Sequence, residues 1–107
     1  MGFLDSVKEM EITAGVALAE QTPGSLLIDV RSPQEYSDGH LAGSINLPLQ
    51  ALKSVEEAAP DKSTPLFIYC LSGGRSKKAA RALGTLGYTN VTSIGGVNQW
   101  NGPLEKS

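Results

Sequence analysis

Short apolar runs alternate with helix-like stretches from one end of the chain to the other. Leu26-Leu27-Ile28-Asp29-Val30 and Leu66-Phe67-Ile68-Tyr69 are nearly continuous apolar runs bounded by Pro, Gly, Ser or charged residues, as strands covered on both faces should be. Val91-Thr92-Ser93-Ile94, closed by Gly95-Gly96, is a third strand candidate. Ser44-Ile45-Asn46-Leu47 before Pro48 is a short fourth, and Glu11-Ile12 is a fifth. Between them, Gly15 to Glu20 fits a helix capped by Thr13, and Pro33 to Ser37 fits a short helix with Ser32 as cap and Pro at its first position. The clearest helix is Arg75 to Leu86: Ala79, Leu83 and Leu86 share one face, Lys77, Lys78 and Arg81 lie mostly away from it, and Gly87 follows as the C′ glycine. Alternating strands and helices predict an α/β fold with a mainly parallel sheet.

Composition narrows the class. A chain of 107 residues has the size of one domain and buries roughly two-thirds of the surface its unfolded form exposes. One domain is therefore expected over residues 1–107. A hydrophobic share of 40% and a charged share of 19% exclude a disordered or collagen-like chain. The formal net charge of -2 gives no electrostatic reason to expect nucleic acid or an acidic membrane as partner. A single cysteine and a single histidine make a poor set for a zinc site and cannot form an internal disulfide, so no metal is expected. No basic stretch with an apolar run opens the chain and no run approaches a membrane span, so the expected location is the cytoplasm.

Cys70 carries the candidate chemistry. It follows a buried strand and precedes Leu71-Ser72-Gly73-Gly74-Arg75-Ser76, with a helix beginning near Arg75. This order sets a thiol over the positive end of a helix, where orphan amide N–H groups and the dipole favour an anion. Gly73 and Gly74 let the backbone curl so that several amides converge. A thiolate held there has its pKa lowered from about 8.5, and Arg75 adds a permanent cation. A free cysteine is more often a small buried hydrophobe, but a packing role needs neither the paired glycines nor the arginine.

Four separated segments together resemble the rhodanese family. Leu27-Ile28-Asp29-Val30-Arg31 followed by Glu35-Tyr36 looks like its first signature. Gly39-His40-Leu41-Ala42-Gly43-Ser44-Ile45-Asn46-Leu47-Pro48 looks like the stretch that follows it. The cysteine loop is the third, and Gly95-Gly96-Val97-Asn98-Gln99-Trp100 is similar to the family's closing Gly-Gly-x-x-x-Trp. The motifs span about residues 12–100. The resemblance implies a rhodanese-like α/β fold, a five-stranded mainly parallel sheet with helices on both faces and a site at the C-terminal ends of the strands. It also implies a sulfurtransferase in which Cys70 takes a sulfane sulfur from a small anionic donor such as thiosulfate, as a persulfide, and passes it to cyanide or a thiol. The amides from Leu71 to Arg75 would hold the terminal sulfur, and no cofactor is required.

Two other functions remain open at this level. A persulfide-carrier module would deliver sulfur to a relay protein. A phosphatase or arsenate reductase of related fold normally has its arginine six positions after the cysteine; here it is five, position 76 is Ser, and no second thiol exists. Asp29 and Arg31 could orient the loop or a substrate, but scaffolding explains them better, through an Arg31–Glu35 pair and a hydrogen bond between Asp29 and nearby backbone. His40 is read as fixing a turn rather than as a base. Lys77 and Lys78 are either added positive field or a solvated face, Trp100 a packing anchor, and Tyr69 wall or core.

Overall fold

The structure is a computed structural model that describes residues 7–107; Met1 to Ser6, within the stretch read above for a leader, lie outside them. Five strands, β1 (Lys8–Glu9), β2 (Leu26–Asp29), β3 (Ile45–Asn46), β4 (Leu66–Cys70) and β5 (Val91–Gly96), form one sheet in the order β1-β5-β4-β2-β3. Every pairing is parallel, so "mainly parallel" becomes wholly parallel. The helices are α1 (Ile12–Glu20), α2 (Pro33–Asp38), α3 (Val55–Ala58) and α4 (Gly74–Thr85), with 3-10 turns at Leu49–Ser54 and Val97–Gln99. Parallel neighbours need crossovers, and the helices supply them.

Burial explains why β4 carries the longest uninterrupted apolar run. It sits at the centre of the sheet and all five of its residues are buried. Its side chains alternate between two cores. Leu66, Ile68 and Cys70 pack with Ala79, Ala80 and Leu83 of α4 and with Leu52 and Val55. Phe67 and Tyr69 pack with Ile12 and Val16 of α1, Leu41 and Ile94. Two helix-covered faces follow.

The strand expected at Glu11-Ile12 is not there. Glu11 instead caps α1, its carboxylate accepting from the backbone N–H of Thr13 at 3.0 Å and Ala14 at 2.9 Å, and Ile12 is the first helical residue. Two donors satisfied at a helix start outweigh one more residue of pairing, so the edge strand falls earlier, at Lys8–Glu9, and Thr13 is not the cap. No element was legible between residues 49 and 58, where the chain forms a 3-10 turn and α3; so short a stretch shows no full helical period.

The other two helix readings hold closely. Around α2, Ser32 accepts from the Glu35 N–H at 3.2 Å while Glu35 accepts from the Ser32 N–H at 3.0 Å, a capping box with Pro33 at the first turn. Ser32→Ala is expected to cost about 1 kcal/mol; an unchanged urea midpoint would show that the box contributes nothing. Helix α4 ends one residue before the expected Leu86, and Gly87 follows at φ +104°.

Candidate active site

The central strand delivers Cys70 to the C-terminal edge of the sheet, where the chain must turn sharply into α4. Gly73 makes the turn at φ +112°, a left-handed conformation natural to glycine. The turn folds amides back over the sulfur. Cys70 Sγ accepts from the N–H of Gly73 at 3.0 Å and from the N–H of Ser76 at 3.3 Å. Burial pushes the thiol pKa up, but the donors of Ser76, then of Gly73 and Ser72, outweigh it, and the net shift is downward.

The loop rests on β5 and the turn after it. Ser76 Oγ donates to the Gly73 carbonyl at 2.9 Å and lies 3.0 Å from Ser93 Oγ on β5. Asn98 N–H donates to the Leu71 carbonyl at 3.0 Å. Gly96 lies directly under the loop: a Cβ there would come within 2.1 Å of the Leu71 carbonyl oxygen and 2.5 Å of Ser72 Cα. Gly-Gly-x-x-x-Trp thus has a local meaning, because its second glycine lets β5 approach the cysteine loop. Trp100 is half-buried against the α1-side core, and its indole N–H donates to the Pro103 carbonyl at 3.1 Å.

Arg75 does not stand as a free cation. Its guanidinium grips Glu35 with a fork, Nη1 to Oε1 at 2.7 Å and Nη2 to Oε2 at 3.0 Å. That grip, with the Ser32 N–H, holds the Glu35 carboxyl down to about 2. The pairing anticipated between Arg31 and Glu35 is therefore exchanged. Arg31 binds Asp29 instead, its Nε at 3.0 Å from both carboxylate oxygens and Nη2 at 2.7 Å from Oδ2, while Nη2 also donates to the Gly39 carbonyl at 2.6 Å. Asp29 in turn accepts the Arg31 backbone N–H at 2.8 Å. Both side chains are buried, Asp29 completely, and in that setting the carboxylate that accepts from both Nε and Nη2 wins over one four residues away.

His40 is a scaffold residue here. Its Nδ1–H donates to the Tyr36 carbonyl at 2.7 Å, its ring stacks on Tyr36 with centroids 3.8 Å apart, and its backbone bridges Glu105. Tyr69 is core: fully buried, it accepts the Leu41 N–H at 3.0 Å and lies 3.0 Å from Ser44 Oγ, and burial pushes its phenol pKa up. Lys77 and Lys78 are exposed, Lys77 lying 3.7 Å from Glu9. The geometry thus gathers Cys70, Gly73 and Ser76 about the sulfur, ties Arg75 to Glu35 nearby, and keeps Asp29, Arg31 and His40 in the framework. Ser93 and Asn98 were missed, having no signal beyond polar side chains near a strand end. Among the described residues no cluster of His, Cys, Asp and Glu could hold a metal, and no helix is long and apolar enough to cross a membrane.

A parallel sheet with a thiol at its central C-terminal edge, bonded by the amides of the following loop, defines an α/β protein with its candidate site at the head of the sheet. The family model of the Rhodanese-like domain matches residues 13–103, and the chain belongs to that family. Thiosulfate sulfurtransferase PspE of Escherichia coli is 41% identical over 71 residues, covering 65% of this chain and 68% of that protein. Adenylyltransferase and sulfurtransferase uba4 of Ogataea parapolymorpha is 35% identical over 99 residues; the match covers 92% of this chain but only 25% of that longer protein. A solved rhodanese with anions from E. coli superposes with a TM-score of 0.69 at 34% identity, covering 78% of this chain and 99% of that one.

Proposed function

We propose that this chain is a sulfurtransferase working through a persulfide on Cys70. The observation that carries the reading is the pair of amides donating to Sγ, which favours the thiolate over the thiol. The thiolate attacks the outer sulfur of a donor such as thiosulfate; the new S–S bond forms as the sulfur–sulfur bond of the donor breaks, and sulfite leaves. The amides of the loop from Leu71 to Arg75, which lead into the start of α4 where no intrahelical carbonyl is available, receive the terminal persulfide sulfur. Cyanide or a thiol then attacks that sulfur and Cys70 leaves as thiolate. The residues carry this chemistry without a cofactor, and a reducing cytoplasm keeps a lone thiol available for it.

Thiocyanate formation from thiosulfate and cyanide tests the reading, and its pH dependence tests the cause. A lowered thiol pKa places the nucleophilic form at lower pH, so the rate of persulfide formation should rise with pH and level off below the value of about 8.5 typical of a free thiol. A rate still climbing steeply above that pH would contradict the proposed activation.

A second reading, a carrier that hands its persulfide to a relay protein, draws on the match to a longer adenylyltransferase and sulfurtransferase and on Leu71, which is exposed in the cysteine loop. Poor turnover with small acceptors would favour it. Phosphatase and arsenate reductase chemistry gains no support: the Cys70-to-Arg75 spacing is short, and the sequence holds no second thiol.

A further inference from the structure

Two serine hydroxyls are buried beside the cysteine loop. Ser76 and Ser93 lie on the face of the sheet where Ala79, Ala80 and Leu83 of α4 cover β4. Burying hydroxyls in such a place costs free energy unless they are bonded, and these two bond to each other. Ser76 Oγ donates to the Gly73 carbonyl at 2.9 Å. A serine has one proton to give, so across the 3.0 Å contact between the two hydroxyls Ser93 is the donor. The bonds run one way, from Ser93 through Ser76 to Gly73, and bonds in such a chain strengthen one another.

The chain ends on the residues that hold the sulfur. Cys70 Sγ accepts from the N–H groups of Gly73 and Ser76, and the bond from Ser76 Oγ to the Gly73 carbonyl ties those two donors together. Ser93 fastens the tie to β5, which is paired with β4, the strand that carries Cys70. Thiol and donors are thus referred to one sheet. We propose that Ser93 is a positioning residue for Cys70: its hydroxyl anchors Ser76, and through Ser76 it holds both N–H donors on the sulfur. The inference rests on the sulfurtransferase reading and adds to it a residue outside the loop that tunes the thiolate. Charged groups on the surrounding elements are matched without it: Arg75 with Glu35 of α2, Arg31 with Asp29 of β2, and Lys77 with Glu9 of β1. Lys78 and Arg81 are exposed, and Tyr69 belongs to the opposite core. A neutral substitution at Ser93 leaves all of these charges in place.

Ser93→Ala removes the hydroxyl alone. The pH midpoint of Cys70 alkylation by iodoacetamide is measured for wild type and variants, with circular dichroism to confirm the fold. Loss of the anchoring hydrogen bond should raise the midpoint by about half a pH unit. Ser93→Thr keeps the hydroxyl, and a cavity of about 80 Å³ beside Ser93 leaves room for its methyl, so its midpoint should match wild type. Ser76→Ala should raise the midpoint as well, and adding Ser93→Ala to it should raise it no further, because Ser93 acts through Ser76. An unmoved midpoint in Ser93→Ala, a threonine variant as shifted as the alanine one, or additive shifts in the double variant would overturn the proposal and leave Ser93 a scaffold residue. Should Ser93→Ala not fold, Ser93→Cys takes its place, since a thiol fills the volume but donates weakly; alkylation is then read on the peptide that carries Cys70. Alkylation needs no sulfur donor. A wild type that forms no persulfide from thiosulfate would therefore remove the sulfurtransferase reading, whereas an unmoved midpoint removes only the role given to Ser93.

Discussion

Cys70→Ala is expected to bring sulfur transfer down to the level of the uncatalysed reaction while the protein still folds. The loss is complete because the sequence holds one cysteine and no other described group occupies the point where Gly73 and Ser76 aim their N–H groups. The structural cost is smaller. The thiol is 1% exposed and belongs to the core shared by β4 and α4, so its removal leaves a one-atom cavity and two amides without their sulfur acceptor, together about 1–2 kcal/mol. Circular dichroism and a denaturation curve should report a folded protein of modestly lower stability. Thiocyanate production that survives the substitution would remove Cys70 from the chemistry.

Gly96→Ala should damage both fold and activity, although residue 96 offers no functional group. A methyl at this position would press on the Leu71 carbonyl and on Ser72 Cα. These are backbone atoms, which cannot rotate aside as a side-chain tip would. Either β5 or the cysteine loop must shift. Overpacking of this kind costs about 2–3 kcal/mol, and displacing the amides from the sulfur by something near 1 Å should slow persulfide formation on the order of a hundredfold. Equilibrium denaturation and single-turnover persulfidation measure the two effects separately. Wild-type rates in a Gly96→Ala protein would mean that the loop does not depend on its contact with β5.

Most of the framework was legible because its signals are local. The central strands announce themselves by unbroken apolar runs, α2 by Ser32 and Pro33, and α4 by its apolar face and Gly87. The failures share a different cause. Glu11-Ile12 reads as extended from its own residues, and only the carboxylate reaching forward to Thr13 and Ala14 turns it into a helix start. The exchange of partners between Arg31 and Arg75 is likewise invisible in sequence: Glu35 stands four residues from Arg31 but forty from the arginine it binds. Spacing along a helix favours the near partner, whereas the fold brings the starts of α2 and α4 together. For Cys70 the outcome is the reverse, since strand, cysteine, glycines and helix lie consecutively and the amide-bonded thiol follows from local order alone. Gly96 lies between these cases. Its motif is visible in the sequence, but the reason for the glycine appears only when the loop is seen resting against it.

The central claim is that the amide-lined turn makes Cys70 a carrier of sulfane sulfur. Mass spectrometry of the intact protein after exposure to thiosulfate alone, with no acceptor present, tests it most directly. The account predicts a mass gain of one sulfur atom, located on the peptide that contains Cys70 and lost again on adding cyanide with release of thiocyanate. An unchanged mass with the thiol still free, or a sulfur that cyanide cannot remove, would contradict it.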